Sequence, residues 1–240
     1  LYQVENNQAR TEAIRLLLQA HQPQTTLIFC NMKIETDQVT KELRAVGYEA
    51  LALHGDLEQK QRDQTLVRFA NRSASVLVAT DVAARGLDIE ALDLVINHQI
   101  AHELEVHTHR IGRTGRAGAQ GTACSLYTHK ENYKIGLLED YLGEKMERGD
   151  LPSSSLLHEP VFSPPMVTIQ IGGGKKQKLR AGDIVGALTG VDGIPGTEIG
   201  RIQVGDQRAY VAIARAHGRT AFNKLSEGKL KGRSFKVRRL

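Results

Sequence analysis

Through the first 150 residues, short apolar runs alternate with stretches of helical period. The runs lie at 25–31, 49–55, 75–81, 94–99 and 121–127, and the helical stretches at 4–21, 34–46, 58–71, 104–111 and 130–142. Val76-Leu77-Val78-Ala79 offers no polar position to solvent, the pattern of a strand buried on both faces. Strand and helix in alternation predict an α/β fold, a parallel sheet covered by helices. Ligand sites in such sheets lie beyond the carboxyl ends of the strands. Here those ends carry Asn31, His54-Gly55-Asp56 and Thr80-Asp81.

The pattern breaks over 151–165, where prolines and serines cluster without a period, and a linker is expected there. It restarts with a strand at 167–171, a glycine-rich turn, a helix near 183–189, strands near 198–204 and 209–215, a helix near 217–226 and a strand at 235–239. This βαββαβ order is the split-βαβ topology of a small α+β domain. Alternation places Val167, Ile169 and Ile171 on its core face and leaves Thr168 and Gln170 outside. In the central strand Val211 and Ile213 point inward, with Tyr210, Ala212 and Ala214 outward.

Charge divides the chain at the same place. The 240 residues carry 32 Lys+Arg against 27 Asp+Glu, a net +5. Residues 166–240 hold 15 of the basic and 5 of the acidic side chains, which leaves 17 against 22 for residues 1–165. The basic end calls for an anionic partner, nucleic acid first. No apolar run reaches the roughly 20 residues that span a bilayer, so no membrane role is expected. Cys30 and Cys124 stand inside apolar runs, which argues against a disulfide framework or a structural zinc and fits a reducing cytoplasm. The chain opens at Leu1 directly into a helical pattern with no signal-like segment, as a piece of a longer protein would.

The densest chemistry is His109-Arg110-Ile111-Gly112-Arg113-Thr114-Gly115-Arg116, with Thr80-Asp81 and Ala84-Arg85-Gly86-Leu87-Asp88 before it. Arg113 and Arg116, three apart, point the same way on a helical or turn-like backbone, and the glycines admit a close approach. Two guanidiniums converging on one point suit a phosphoryl group. An isolated Arg-x-x-Arg is usually only a solvated surface pair. Its neighbours decide the matter, because they resemble the second RecA-like domain of DEAD-box RNA helicases: LIFCN at 27–31, HGDLEQKQR at 54–62, VATDVAARGLD at 78–88 and HRIGRTGR at 109–116, in the family's order. The resemblance implies that Arg113 and Arg116 are catalytic arginine fingers on the γ-phosphate of ATP, and that Asp88 and Gly86 contact the nucleotide. It further implies that Arg62 and Thr80 bind the RNA backbone, with Gln59 setting Arg62, and that His109 and Arg110 couple the two sites. Aromatics that the family often places just before the last motif are here His98 and His107.

No G-x-x-x-x-G-K-[ST] phosphate loop and no Asp-Glu-Ala-Asp stretch occurs, and Gly172-Gly173-Gly174-Lys175 is followed by Lys176 where Ser or Thr would stand. ATP and Mg2+ would then be held mainly by a missing N-terminal domain, and this chain alone should not hydrolyse ATP. His98, His102, His107 and His109 match no metal-ligand spacing, and no metal site is expected.

In the basic part, Tyr210 is the one aromatic on the outward face and is expected to contact RNA by stacking, but a single ring makes stacking of bases on the sheet weak. Cations concentrate instead in loops and edges: Lys175, Lys176, Lys178, Arg180, Arg201 and Arg215 are the expected RNA contacts, with Arg208, Arg219 and the Lys229–Arg239 run beside them. About six phosphate contacts would make affinity fall on the order of a thousandfold over a modest rise in salt. Residues 172–190 and the closing KLKGRSFKVRRL resemble the RNA-binding domain of DbpA-like bacterial DEAD-box proteins. That resemblance implies an RRM-like domain gripping a 23S rRNA hairpin and tethering the helicase core to adjacent duplex in pre-50S particles. A non-catalytic rRNA-binding or chaperone protein with a vestigial RecA-like domain is the alternative from a different class. The expected layout is therefore 1–150 RecA-like, 151–165 linker and 166–240 RRM-like.

Overall fold

The computed structural model describes residues 1–85, 92–115 and 121–240, which form two compact units. The first, Leu1–Thr65 with Ser75–Ser163, is built on a six-stranded sheet. The elements up to Leu142, in chain order, are β1 (Tyr2–Val4), α1 (Ala9–His21), β2 (Thr26–Cys30), α2 (Lys33–Ala45), β3 (Ala50–Leu53), α3 (Gln59–Ala70, whose last five residues belong to the second unit), β4 (Val76–Thr80), α4 (Asp81–Ala84), β5 (Leu94–Asn97), α5 (Leu104–Ile111), β6 (Thr122–Thr128) and α6 (Asn132–Leu142). The sheet order is β1-β6-β5-β2-β4-β3 and every pairing is parallel.

β2 lies at the centre of this order, with Ile28 opposite Val78 of β4 on one side and Ile96 of β5 on the other. All five β2 residues are buried, as its unbroken apolar sequence requires. The helices cover the sheet with apolar stripes; in α2 the buried positions Thr36, Val39, Thr40 and Leu43 recur at helical spacing. At its start Glu35 Oε2 accepts the Met32 N–H at 3.1 Å. Cys30 and Cys124 are buried free thiols in this core, and burial pushes them up to about 12 and about 11.

Two differences from the sequence reading have a common cause, apolar residues that carry no period. β1 falls where the first helix was expected to begin; it is three residues long, pairing Tyr2 with Leu126 at the sheet edge, and α1 starts only at Ala9. The stretch expected to be a linker is packed. Leu151, Val161 and Phe162 lie against the core, the Phe162 ring meets Tyr48 edge-on with centroids 5.7 Å apart, and Gln19 donates to the carbonyls of Glu159 and Pro160. Its proline content described the backbone and hid these anchors.

The second unit comprises Leu66–Ala74 and Pro164–Leu240. Its strands β7 (Met166–Ile171), β8 (Ile199–Val204), β9 (Ala209–Ala214) and β10 (Val237–Arg239) form an antiparallel sheet in the order β10-β7-β9-β8. Helices α7 (Ala181–Thr189) and α8 (Gly218–Glu227) complete the split-βαβ arrangement over a core of Val167, Ile169, Ile171, Ile184, Val211 and Ile213. The turn after β7 needs its glycine: a Cβ on Gly174 would sit 2.2 Å from the Gly205 carbonyl oxygen.

The outward face of this sheet is a correction. Thr168, Gln170, Tyr210 and Ala212 are 0, 8, 8 and 1% exposed, so the face is covered and the Tyr210 ring is not presented for stacking. Part of the cover is Leu66–Ala74 of the same unit: Asn71 Nδ2 donates to Thr168 Oγ1 at 3.1 Å, the Ser73 hydroxyl lies 2.7 Å from it, and the Met166 N–H donates to the Arg72 carbonyl. Strand alternation shows which side chains share a face, and is silent on whether a distant segment lies over it.

Candidate functional site

Beyond the carboxyl ends of β5, β2 and β4, three neighbouring strands, the first unit gathers Gln99, Asn31 and Asp81 around one side chain. Arg110, 2% exposed, projects from the last turn of α5 into this gap. Its Nε and Nη2 donate to the two Asp81 oxygens, both at 2.6 Å, its Nη1 donates to the Gln99 carbonyl at 3.0 Å, and Nη2 also donates to Asn31 Oδ1 at 2.7 Å. The Phe29 ring packs under the guanidinium at 5.2 Å. A planar fork is the group that can serve three strand ends at once, and a lysine could not. With its donors so engaged, Arg110 is a coupling element between strand ends and not a ligand for phosphate.

A cleft of about 450 Å³ opens beside it, lined by Phe29, Asp81, Arg85, His109, Arg110 and Arg113. The Arg113 backbone is fixed on both sides of its side chain: its N–H donates to the Arg110 carbonyl, its carbonyl accepts the Leu92 N–H, and Thr114 Oγ1 donates to the Leu92 carbonyl at 2.7 Å. Arg113 is half-buried and Arg85 and His109 are exposed, so the cleft wall can offer cationic groups to an anion. Arg116, Asp88 and Gly86 lie outside the described residues.

The expected RNA-backbone residues stand further along the same sheet edge. Thr80 ends β4, half-buried. Arg62 is half-buried and its Nη2 donates to the Ala83 carbonyl at 2.9 Å, tying α3 to α4. The Gln59 amide donates to Asp63 Oδ1 at 2.7 Å, one helical turn on. In the second unit Lys175, Lys176, Lys178, Arg180 and Arg201 are exposed. Lys178 takes a left-handed backbone (φ 59°) and its carbonyl accepts Lys231 Nζ at 2.9 Å. Arg215 is half-buried, with Nε donating to the Pro164 carbonyl, so part of its fork is spent within the fold.

Sequence reasoning missed Arg10. This arginine of α1 is fully buried, donates to the carbonyls of His98 and Leu126 and to Asn7, and pairs with Glu131. It thereby closes the ends of β5 and β6. Burial alone would raise the Glu131 carboxyl; the Thr128 N–H and Arg10 more than offset that and hold it below its usual value. No local signal marks Arg10, because its partners other than Asn7 lie 88 to 121 residues away.

His98 beside it is 6% exposed and pushed down to about 4, first by burial and then by the Arg10 charge. The folded protein therefore keeps His98 neutral while the unfolded chain protonates it near 6.5. Between those values the unfolded state binds the extra proton, so stability falls as pH drops from 6.5 and the loss is complete below about 4. Its size is on the order of 3 kcal/mol. Urea unfolding at pH 7.5 and 4.5 should show this loss, and a His98→Gln variant should be less acid-sensitive than the parent; equal slopes would remove His98 from the account.

Comparison with known proteins agrees with this geometry. Residues 9–118 match the family described as helicase conserved C-terminal domain, and residues 168–239 match the DbpA RNA binding domain. The ATP-dependent RNA helicase DbpA of Escherichia coli K12 is 46% identical over 98% of this chain and 51% of its own length. The protein of that name from Bacillus subtilis 168 is 34% identical over 92% of this chain and 50% of its own. The solved C-terminal domain of the DEAD-box protein Dbp5 superposes with a TM-score of 0.56 at 30% identity, covering 63% of this chain and 88% of that one. The two family matches, one on each unit's sequence, identify the C-terminal half of an RNA helicase. The chain belongs to the DEAD-box RNA helicases and is a DbpA-like C-terminal half. It spans about half the length of the curated relatives it matches.

Proposed function

We propose that this chain is the motor-completing and RNA-addressing half of an ATP-dependent RNA helicase that binds a 23S rRNA hairpin and remodels neighbouring duplex in pre-50S particles in the cytoplasm. The observation that carries it is the joining, in one chain, of a helicase C-terminal domain to a DbpA RNA binding domain. Residues 1–150 then act as the RecA-like domain, 151–165 connect, and 166–240 hold RNA. ATP and Mg2+ are held mainly by the N-terminal half. This chain contributes Arg113 from the cleft wall, together with Arg116, Asp88 and Gly86. The donor set fits a nucleotide, since cationic side chains face a cleft of suitable size and Asp81, the carboxylate beside them, is engaged by Arg110. Closure of the two halves gives ATP and RNA a shared equilibrium to bias.

RNA is held by exposed cations, Lys175, Lys176, Lys178 and Arg180 between β7 and α7 and Arg201 on the edge strand β8, with no base stacking on the covered sheet face. Thr80 and Arg62 meet the backbone of the duplex being opened, and the hairpin grip raises its local concentration. The test is ATP hydrolysis by the full-length protein at matched salt with a 23S rRNA hairpin fragment, a scrambled hairpin and the DNA version of the same sequence. The native hairpin should stimulate best. Equal stimulation by the scrambled hairpin would remove the rRNA address, equal stimulation by DNA would make it a DNA helicase, and no stimulation by any would leave a binding protein.

A further inference from the structure

We infer that His107, held by Ser125 and Asn97, is a positioning residue for Arg113, seating α5 on the ends of β5 and β6 so that the guanidinium faces the cleft. Asn97 and Ser125 are register partners in adjacent strands, and the Asn97 amide donates to Ser125 Oγ at 2.9 Å. The same hydroxyl oxygen lies 3.2 Å from His107 Nε2, while His107 Nδ1 faces the Ala101 N–H at 3.4 Å. A ring nitrogen that faces a donor is the unprotonated one, so the proton resides on Nε2 and is donated to Ser125. His107 is fully buried, and Arg110 and Arg113 follow at three-residue steps from it along α5 and its end. Movement of the imidazole therefore moves both arginines together.

Packing alone does not account for this chain of hydrogen bonds. Asn97 Oδ1 is buried with no partner among the described residues, which costs on the order of 1–3 kcal/mol. Apolar residues at the three positions would avoid that loss, whereas directed bonds fix one seating of the helix. The charged groups that bear on His107 are Arg110 and Asp81. Burial first, then Arg110, pushes it down to about 4, so it adds no charge beside the arginine.

The inference rests on the reading of Arg113 as a nucleotide-facing arginine, and the experiment separates the two. In the full-length protein, His107→Phe and Ser125→Ala should each lower kcat for RNA-stimulated ATP hydrolysis on the order of tenfold with KM for RNA unchanged. Together they should do no more than the worse of the two, because both break one hydrogen bond. His107→Gln, which retains a donor toward Ser125, should recover part of the loss. Unchanged kcat in folded variants, with turnover abolished by Arg113→Ala, overturns the positioning role alone; an Arg113→Ala enzyme of normal turnover overturns the nucleotide reading instead. Ring nitrogen NMR of the unmutated chain supplies a readout free of folding defects: a neutral Nε2–H tautomer at pH 6 is expected, and an Nδ1–H or doubly protonated ring excludes the proposed bond.

Discussion

Arg110→Ala is expected to destabilise the first unit by roughly 3–5 kcal/mol, the range for breaking a buried ion pair by removing one partner. The loss is concentrated because one guanidinium serves three strand ends. Without it Asp81, whose side chain is 23% exposed, keeps its charge beside an apolar gap, and Asn31 Oδ1 and the Gln99 carbonyl lose their donor. Arg110→Lys should recover little, since an ammonium cannot make the bidentate contact with Asp81 and reach Gln99 as well. A pair of substitutions, Arg110→Met with Asp81→Leu, should restore much of the stability while leaving the helicase inactive, because it removes the unpaired charge without rebuilding the coupling. Chemical denaturation of the three variants checks this. A loss below about 1 kcal/mol for Arg110→Ala would show that solvent replaces the guanidinium at the strand ends.

Arg113→Ala in the full-length protein should leave folding and hairpin binding intact and lower RNA-stimulated ATP turnover about a thousandfold or more, the range for an arginine finger. Folding is spared because the backbone bonds that hold this position, to the Arg110 carbonyl and from the Leu92 N–H, survive the substitution. Hairpin binding is spared because the cations assigned to it belong to the second unit. Arg113→Lys should behave almost like the alanine variant if the γ-phosphate is contacted through two nitrogens, and recover more if charge alone suffices. Single-turnover measurements with saturating RNA distinguish a slower chemical step from weaker nucleotide binding.

Local period and motif spacing made most of this molecule legible. The five main strands of the first unit were visible because each is a short apolar run ended by polar residues, and the split-βαβ order survived in only about 75 residues because its turns carry glycine. Arg110 and Arg113 could be located from their motif, and the four hydrogen bonds that Arg110 makes to three strand ends could not. What stayed hidden depends on pairs far apart in the chain. Arg10 meets Glu131, 121 residues away. Thr168 is buried by Asn71 and Ser73, which precede it by more than 90. Phe162 finds Tyr48 from within a proline-rich stretch that has no period to reveal it. His107 reads as a departure from the family's aromatics, and only the positions of Ser125 and Asn97 give the imidazole a job. The sequence pattern describes faces, and long-range partners decide which faces are covered.

Both native thiols sit deep in the sheet, with Cys30 and Cys124 pushed far above the pH of any labelling reaction. The thiolate is the reactive species, so neither should compete with a cysteine introduced at an exposed position. Fluorophores could therefore be attached to single engineered sites in this chain without first replacing Cys30 and Cys124, which leaves its core packing undisturbed while distances within it are followed as RNA is added.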